Sequence, residues 1–283
     1  GSLDASANEI SYRAHARKHH YEFQLGRMNG LDRGSREVII APFQDDDGNE
    51  VVPERRIGYD TLVVTPGLKL NWDKIEGLRE TLGRNGVCSN YDPSLAEYTW
   101  QCIRKFQGGK AFFTQPPAPI KCAGAPQKIA YLAADYFRKK QISSQCELRF
   151  YAASGALFSV PDFVPYLEKV ARGYNIGLLM NHNLVAVNGD KKEATFRFTD
   201  SDGVIQEITE SFDLLHVTPP QCAPDFVKNS PLANADGYVT YSNVNAIIEM
   251  MDMKEAERSF SAGLRTFDQA RDMFMRTLDL LRR

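Results

Sequence analysis

The chain has 283 residues, with 34 Lys and Arg against 36 Asp and Glu, a formal net charge of -2 and 43% hydrophobic residues. This balance is typical of a globular protein and gives no electrostatic reason to expect nucleic acid as a partner. No apolar run approaches the roughly 20 residues of a membrane-spanning helix, so we expect a cytoplasmic protein. The first residue is not Met and no strand precedes the first helical pattern, which indicates a fragment.

The first 66 residues predict one helix and several short strands. The helix carries Tyr12 and the histidines discussed below, and strands are predicted at 22–25 and 38–40. The Asp-Gly pair at 47–48 supplies the tight turn of a hairpin that closes on a strand at 51–52. A run of apolar residues then predicts a buried strand over 59–67, ending in a glycine turn.

Part of this region resembles the type II NADH dehydrogenases. The strings Leu-Gly-Arg-Met at 25–28 and Gly-Leu-Asp at 30–32, followed by the hairpin, match a stretch of the FAD domain of that family. The resemblance implies that residues 1–66 are a partial FAD-domain segment.

From about residue 57 to residue 236, strand and helix patterns alternate, as in a parallel α/β sheet. The predicted strands are 110–114, 147–151, 176–180, 195–198 and 214–218, and the predicted helices are 127–139 and 161–172. In the second helix, Phe163, Tyr166, Leu167 and Val170 recur at helical spacing and indicate one apolar face.

This region resembles the sulfide:quinone oxidoreductases, most specifically in the string Ile-Lys-Cys-Ala-Gly-Ala-Pro-Gln-Lys at 120–128. Further matches lie at 64–70, 72–78, 89–91 and 216–220. The resemblance implies a Rossmann-like domain of a flavoprotein with two dinucleotide-binding domains. It also implies FAD as cofactor, sulfide and quinone as reaction partners, and a peripheral location on a membrane.

Cys122 is the predicted catalytic residue. It lies between a strand and a helix, where helix N–H groups favour a thiolate, and Lys121 adds positive charge. The resemblance makes Cys122 one of two redox cysteines that pass sulfide sulfur toward the flavin. Pro66, Gly67 and Lys128 are the predicted cofactor-binding residues.

The flavin itself is not expected to be retained. FAD binding in this class of flavoprotein uses a Gly-x-Gly-x-x-Gly turn, whose N–H groups hold the pyrophosphate, and that motif is absent from the sequence. We therefore expect the isolated chain to be inactive. His216 lies in a predicted strand, where it is either a core histidine or an acid at a quinone site.

The other cysteines and histidines suggest no metal site. Five cysteines without a Cys-x-x-Cys pair predict neither a disulfide scaffold nor structural zinc. Core packing is the expectation for Cys88, Cys102 and Cys146, whereas Cys222 could be exposed and pair with Cys122. The imidazoles of His15, His19 and His20 approximate one helix face but lack a fixed third ligand, so we interpret them as solvated.

After residue 236 no proline occurs, and apolar residues such as Phe260, Phe267 and Phe274 recur at helical intervals. The pattern predicts one long amphipathic helix over 237–283. This whole segment resembles the C-terminal helix of flagellar basal-body rod proteins, with the matching residues at 236–239, 242–245, 249–250 and 258–260. An unpartnered apolar stripe would favour self-association through residues 243–283.

The three stretches suggest three parts, at 1–66, 67–236 and 237–283. One hypothesis is a sulfide:quinone oxidoreductase-like enzyme or fragment. Others are a non-enzymatic composite bearing an assembly helix, a type II NADH dehydrogenase-like oxidoreductase, and a bare dinucleotide-binding module. The composite hypothesis has joins near 59–64 and 235–239; its alternative is a single-family protein whose ends have diverged.

Overall fold

The computed structural model describes residues 10–200 and 202–233, together with Lys254 and Arg258. The chain separates into two compact units, Gly1–Pro231 and Leu232–Arg283. The helix predicted over 237–283 lies outside the described residues except for Lys254 and Arg258, which are helical and exposed. In the described part of the chain, no helix combines the length and the apolar character needed to cross a membrane.

The first region contains one helix and five short strands. They are α1 Tyr12–His19, β1 Met28–Asp32, β2 Glu37–Ile40, β3 Phe43–Gln44, β4 Glu50–Val52 and β5 Arg55–Gly58. The Ser11 hydroxyl caps α1 by accepting a hydrogen bond from the Ala14 N–H at 3.3 Å. Strands β1, β2 and β5 form an antiparallel sheet, and β3 pairs with β4 in the predicted hairpin.

Two strand predictions in this region are wrong. Residues 22–25 form no strand, because Phe23 stacks on Tyr12 of α1, with ring centroids 5.4 Å apart, instead of entering a sheet. Residues 59–67 also form no strand. The chain leaves its sheet where β5 ends at Gly58, and Val63 is 79% exposed. An apolar run becomes a strand only where a neighbouring strand pairs with its backbone.

The described residues after β5 contain fifteen further α-helices and β-strands. They are β6 Lys69–Leu70, α2 Leu78–Thr81, β7 Val87–Cys88, α3 Pro93–Lys105, β8 Gly109–Gln115, α4 Gly124–Lys139, β9 Cys146–Ala152, α5 Val164–Gly173, β10 Ile176–Met180, β11 Asn183–Asn188, β12 Glu193–Thr199, β13 Ile205–Ser211, β14 Leu214–His216, β15 Gln221–Cys222 and α6 Asp225–Lys228.

A five-stranded parallel sheet is the centre of the fold. Its order is β10-β9-β8-β14-β7, so β14, the last of these five strands in the sequence, inserts between β7 and β8. The register pairs Leu215 with both Phe112 and Val87. The α/β fold with a parallel sheet is thus confirmed, and the predicted strands at 110–114, 147–151, 176–180 and 214–218 all belong to it.

The predicted strand at 195–198 belongs to a different sheet. It is β12, the middle strand of the antiparallel order β11-β12-β13. The alternation of strands and helices placed it in the parallel sheet, but strand order depends on pairing between distant segments. The β13 strand is largely exposed, so its sequence has little of the apolar pattern that marks a core strand.

The core has two layers, one on each side of the parallel sheet. Phe113 packs with Phe137 of α4 and Ile103 of α3. Its neighbour Phe112 packs with Phe196 of the antiparallel sheet. Because successive side chains of a strand point to opposite faces, helices cover one face of the sheet and β11–β13 cover the other.

The helix predicted at 161–172 is confirmed as a short 3-10 turn, Pro161–Phe163, that leads into α5. Only part of its predicted apolar face packs against the core, where Leu167 contacts the helical layer. Phe163, Tyr166 and Val170 are exposed. Ala171 instead provides the fully buried contact of α5.

Candidate functional site

The carboxyl ends of β8 and β14 lie side by side in the parallel sheet. Strand β8 continues into α4 on the helical face, whereas β14 is reached from the antiparallel sheet on the opposite face. Adjacent strands whose connections diverge in this way create a topological switch point, the usual ligand site of open α/β sheets. The candidate site lies at this edge.

Cys122 lies in the loop that joins β8 to α4. Its thiol is free and its side chain is exposed. The backbone of Cys122 has a left-handed φ of 57°, and its carbonyl accepts a hydrogen bond from the Ala125 N–H at 2.8 Å. The α4 N-terminus has no side-chain cap, so its N–H dipoles face the turn that holds the thiol.

Two buried glutamines hold this loop in place. The Gln221 side chain accepts a hydrogen bond from the Lys121 N–H at 2.7 Å. The Gln127 amide donates to the carbonyls of Ala123 and Leu157. Both glutamines are 5% exposed or less, so these bonds are shielded from water and position the Cys122 turn.

Tyr91 and Thr218 lie beside Cys122 at the ends of β7 and β14. Burial raises the pKa of Tyr91, the Thr218 hydroxyl acts in the opposite direction, and the charge of Cys122 adds to the rise. Neither the Tyr91 hydroxyl nor the Thr218 hydroxyl has a hydrogen-bond partner of good geometry, although both oxygens are buried. The tyrosine therefore keeps its proton and presents a donor near the thiol.

His216 is a buried, neutral histidine of β14. Its Nε2 lies 2.8 Å from Asn90 Oδ1, and its Nδ1 has no partner. Burial lowers the pKa of His216 to about 4, because a charged imidazole in this core would lose its hydration. A proton-donating role near neutral pH does not fit this environment, and the core interpretation does.

The residues of the β8–α4 loop do not fit a dinucleotide such as FAD. A pyrophosphate at this turn needs backbone N–H donors, but Pro116, Pro117 and Pro119 have none. The first glycine of the turn is Gly124, where an added Cβ would meet no atom within 4 Å. The structure therefore gives no sign that this glycine is needed for a cofactor to approach the backbone closely.

The predicted cofactor-binding residues lie around this edge without forming one cluster. Lys128 is exposed on α4, and Pro66 and Gly67 are exposed in the loop that leads to β6. Strand β6 pairs with β15, where Gln221 binds the Cys122 loop. The roles of Pro66, Gly67, Lys128 and Cys122 stay predictions.

Sequence reasoning missed Tyr91, Thr218, Gln127 and Gln221 as parts of this site. Tyr91 and Gln127 lie inside strings on which the family resemblance was based, so the sequence marked both positions. It did not indicate which atoms their side chains contact. Gln221 had no signal, because its bond to Lys121 joins segments 100 residues apart.

The remaining cysteines and histidines lie elsewhere. Cys88 is buried as predicted, and Cys102, Cys146 and Cys222 are half-buried with free thiols. The rings of His15 and His19 are 4.2 Å apart on exposed α1. Within residues 10–200 and 202–233, no group of three or more metal-ligating side chains is assembled.

The architecture is that of an α/β domain built on a parallel sheet. The crystal structure of the sulfide:quinone oxidoreductase from Aquifex aeolicus shares this fold, with a TM-score of 0.59 and 19% sequence identity, covering 78% of this chain and 48% of that chain. In sequence, the chain is similar to the mitochondrial sulfide:quinone oxidoreductase of Mus musculus, with 39% identity over 185 residues. That similarity covers 65% of this chain and 41% of the mouse protein, so the chain spans about two fifths of its relative.

Two shorter similarities accompany this one. The type II NADH:quinone oxidoreductase of Haemophilus influenzae is 34% identical over 80 residues, covering 28% of this chain and 18% of that protein. Residues 235–280 match the family described as flagellar basal body rod FlgEFG protein C-terminal. The flagellar basal-body rod protein FlgC of Agrobacterium fabrum is 43% identical over 58 residues, covering 20% of this chain and 42% of that protein. The three predicted resemblances are thus confirmed.

Proposed function

We propose that the chain is a sulfide:quinone oxidoreductase-like flavoprotein segment in which Cys122 carries sulfur derived from sulfide. The observation that carries this proposal is the exposed Cys122 thiol at the switch point, within the region of similarity to sulfide:quinone oxidoreductases. Sulfide and a quinone are the proposed substrates of the complete reaction, and a cytoplasmic location remains part of the proposal.

The chain by itself is proposed to be inactive in that reaction. Oxidation of sulfide by a quinone needs an electron carrier between them, and FAD would supply that chemistry when bound. The prolines of the β8–α4 loop do not form a flavin cradle, and the sequence has no Gly-x-Gly-x-x-Gly turn. What these residues can still do is accept a sulfur atom.

Cys122 can accept sulfur without an electron carrier when the donor is an inorganic polysulfide. The Cys122 thiolate attacks a terminal sulfur of the polysulfide, a new S–S bond forms, and the chain shortened by one sulfur leaves with the electron pair. The product is a persulfide on Cys122, and no external oxidant is required. Burial and the charge of Cys122 raise the pKa of Tyr91, so a tyrosine that keeps its proton lies in the neighbourhood of the sulfur.

Mass spectrometry of the full chain after incubation with inorganic polysulfide tests this step. We expect one added sulfur on the peptide that contains Cys122, and none there in Cys122→Ser. The matched control is Cys222→Ser, since Cys222 is a half-buried thiol of nearby β15; this variant should still be modified at Cys122. Equal modification of all exposed thiols in unfolded and folded protein would contradict a built site.

Visible absorption of the purified chain tests the proposed lack of flavin separately. We expect no flavin band near ~450 nm. A yellow protein with stoichiometric FAD would overturn the proposed inactivity. The role of Cys122 would still be decided by the mass-spectrometry experiment.

A second candidate function is a non-enzymatic composite, divided at 1–66, 67–236 and 237–283, whose last part assembles through residues 243–283. Support comes from the rod-protein match at 235–280 and from the boundary between compact units at 231–232. Limited proteolysis tests it. Cleavage confined to 59–64 and 235–239 favours the composite, and one resistant core spanning both joins contradicts it.

A third candidate is a type II NADH dehydrogenase-like oxidoreductase, supported by the 80-residue similarity. Because the prolines of the β8–α4 loop remove pyrophosphate donors, we expect the chain not to bind NADH. Titration of NADH fluorescence with the full chain tests this expectation, and saturable binding would favour the third candidate.

A further inference from the structure

Two thiols lie near each other where α3 packs against β7. Cys88 is fully buried in β7 and Cys102 is half-buried on α3. Both side chains pack in the same hydrophobic cluster, and each thiol shifts the pKa of the other. The two thiols are therefore neighbours in the fold, although 14 residues separate them in the sequence.

Cys102 opens onto a cavity of about 410 Å³ at the amino ends of the sheet strands. Its lining includes Tyr98 and Lys105 of α3, Gly108 before β8 and Asp213 before β14. A small molecule can thus reach the Cys102 sulfur, whereas Cys88 lies behind it in the core.

The charged and titratable groups around this cavity distinguish the two thiols. The hydrogen bond from Cys88 lowers the pKa of Cys102, and the Tyr98 hydroxyl and the charge of Lys105 lower it further, while burial opposes them. The same thiol contact, together with burial, raises the pKa of Cys88. Asp213 faces the cavity, but its carboxylate accepts a hydrogen bond from the Lys110 N–H at 2.9 Å.

We propose that Cys102 and Cys88 form a dithiol site that reacts with low-molecular-weight disulfides, Cys102 as the attacking thiol and Cys88 as the resolving thiol. A reactive thiol is a thiolate that reagents can reach, and Cys102 meets both requirements. The buried and protonated Cys88 lies in the same cluster as the sulfur that it must attack. The site is independent of Cys122 and of the function proposed for it.

The reaction balances in two steps. The Cys102 thiolate attacks one sulfur of the disulfide, forms a mixed disulfide and releases the first thiolate. Cys88 then attacks the Cys102 sulfur, its proton passes to the leaving group, and the second thiol departs. The protein loses two electrons and gains a Cys88–Cys102 disulfide, and the small disulfide is reduced to two thiols.

The test uses the full chain with Cys122, Cys146 and Cys222 replaced by Ser, so that the pair provides the remaining thiols. The probe is 5,5′-dithiobis(2-nitrobenzoate). We expect two equivalents of thiolate to be released and no adduct to remain. In the same background, Cys88→Ala should release one equivalent and keep one adduct on Cys102. Cys102→Ser should slow the reaction at least about tenfold, because the attacking thiol that lines the cavity is lost.

Two further readouts keep the proposal falsifiable if a substitution disturbs folding. Peptide mapping of the unsubstituted chain after treatment with glutathione disulfide should find Cys88 linked to Cys102. The pH profile of Cys102 labelling should have its midpoint below the ~8.5 of a free cysteine. A retained adduct in the pair variant, rapid labelling of folded Cys102→Ser, or a midpoint at or above that of free cysteine would each overturn the proposal.

Discussion

At the scale of single residues, burial decides the charge of His216. Its imidazole is 1% exposed and donates one hydrogen bond to Asn90 if Nε2 carries the proton. Sequence reasoning left open whether this histidine is a core residue or an acid. The local strand pattern is the same in both cases, and only the packing of β14 between β7 and β8 removes the ring from water.

Stability should therefore fall with acidification through His216. The pKa of His216 is lowered from 6.5 to about 4 in the folded chain, so between those values the unfolded chain binds the extra proton. The free energy of unfolding is therefore unaffected by this group above pH 6.5. It decreases by about 3 kcal/mol as the pH falls toward 4. Urea unfolding at a series of pH values measures this slope.

His216→Asn should flatten that slope, since the titrating group is gone. The exposed residue His19 gives the matched control, His19→Asn, which should keep the slope of the parent chain. An unchanged slope in His216→Asn would show that other groups cause the acid sensitivity.

A second prediction at this scale concerns the polar contact between the two sheets. The buried Tyr151 hydroxyl donates to Glu210 at 2.8 Å and accepts from Arg149 at 3.1 Å. Tyr151→Phe keeps the ring stacked on Phe196 but leaves two charged groups short of a partner. We expect a loss of about 2 kcal/mol in the free energy of unfolding.

Chemical denaturation of Tyr151→Phe measures that loss. Tyr166→Phe is the control, because Tyr166 is 72% exposed and its hydroxyl is available to water. Its change should stay within about 0.5 kcal/mol. Equal effects of the two substitutions would mean that the Tyr151 hydroxyl contributes no specific stabilisation.

At the scale of elements, strands with a local apolar pattern were predictable, and strands defined by their partners were not. Strands β8, β9 and β10 have buried runs and were placed within one or two residues. Residues 59–67 have a similar run but lack a partner strand. The helix α5 was predicted, yet the exposure of Phe163 and Tyr166 depends on what packs over it.

The junction between α2 and β11 offers a test at this scale. Gly77 precedes α2 with a φ of 69°, and an added Cβ would overlap the Val187 carbonyl oxygen. Gly67 has a φ of 75° but open space around its Cβ position. Gly67→Ala thus measures the conformational cost alone, about 1–2 kcal/mol, and Gly77→Ala adds a clash with backbone.

Thermal or urea unfolding should rank the two variants clearly. We expect Gly77→Ala to lose at least about 2 kcal/mol more than Gly67→Ala, because a backbone carbonyl cannot rotate away as a side chain can. If both variants lose the same amount, α2 does not approach β11 as closely as the structure indicates.

At the scale of the whole molecule, the rod-protein similarity at 235–280 leads to a prediction about assembly. The apolar repeat of residues 243–283 should make the full chain self-associate, because burial of apolar surface between two copies removes it from water. Sedimentation velocity should show a sedimentation coefficient that rises with protein concentration.

The doubly substituted chain Phe267→Glu with Phe274→Glu should sediment as a monomer. Tyr166→Glu is the matched control, since it places a charge on the exposed apolar surface of α5. Association that persists in the double variant but disappears in Tyr166→Glu would assign it to α5 and contradict the prediction.

The sequence by itself determined the class of fold, the β8–α4 loop with its cysteine, and the three family resemblances. These features depend on local patterns of apolar residues and on contiguous strings. Tertiary structure decided the insertion of β14 between β7 and β8, the separate antiparallel sheet, the Gln221 bond that holds the Cys122 loop, and the contact of Cys88 with Cys102. Each of these joins residues far apart in the chain, and such pairing is selected by the packing of the complete core rather than by any local preference.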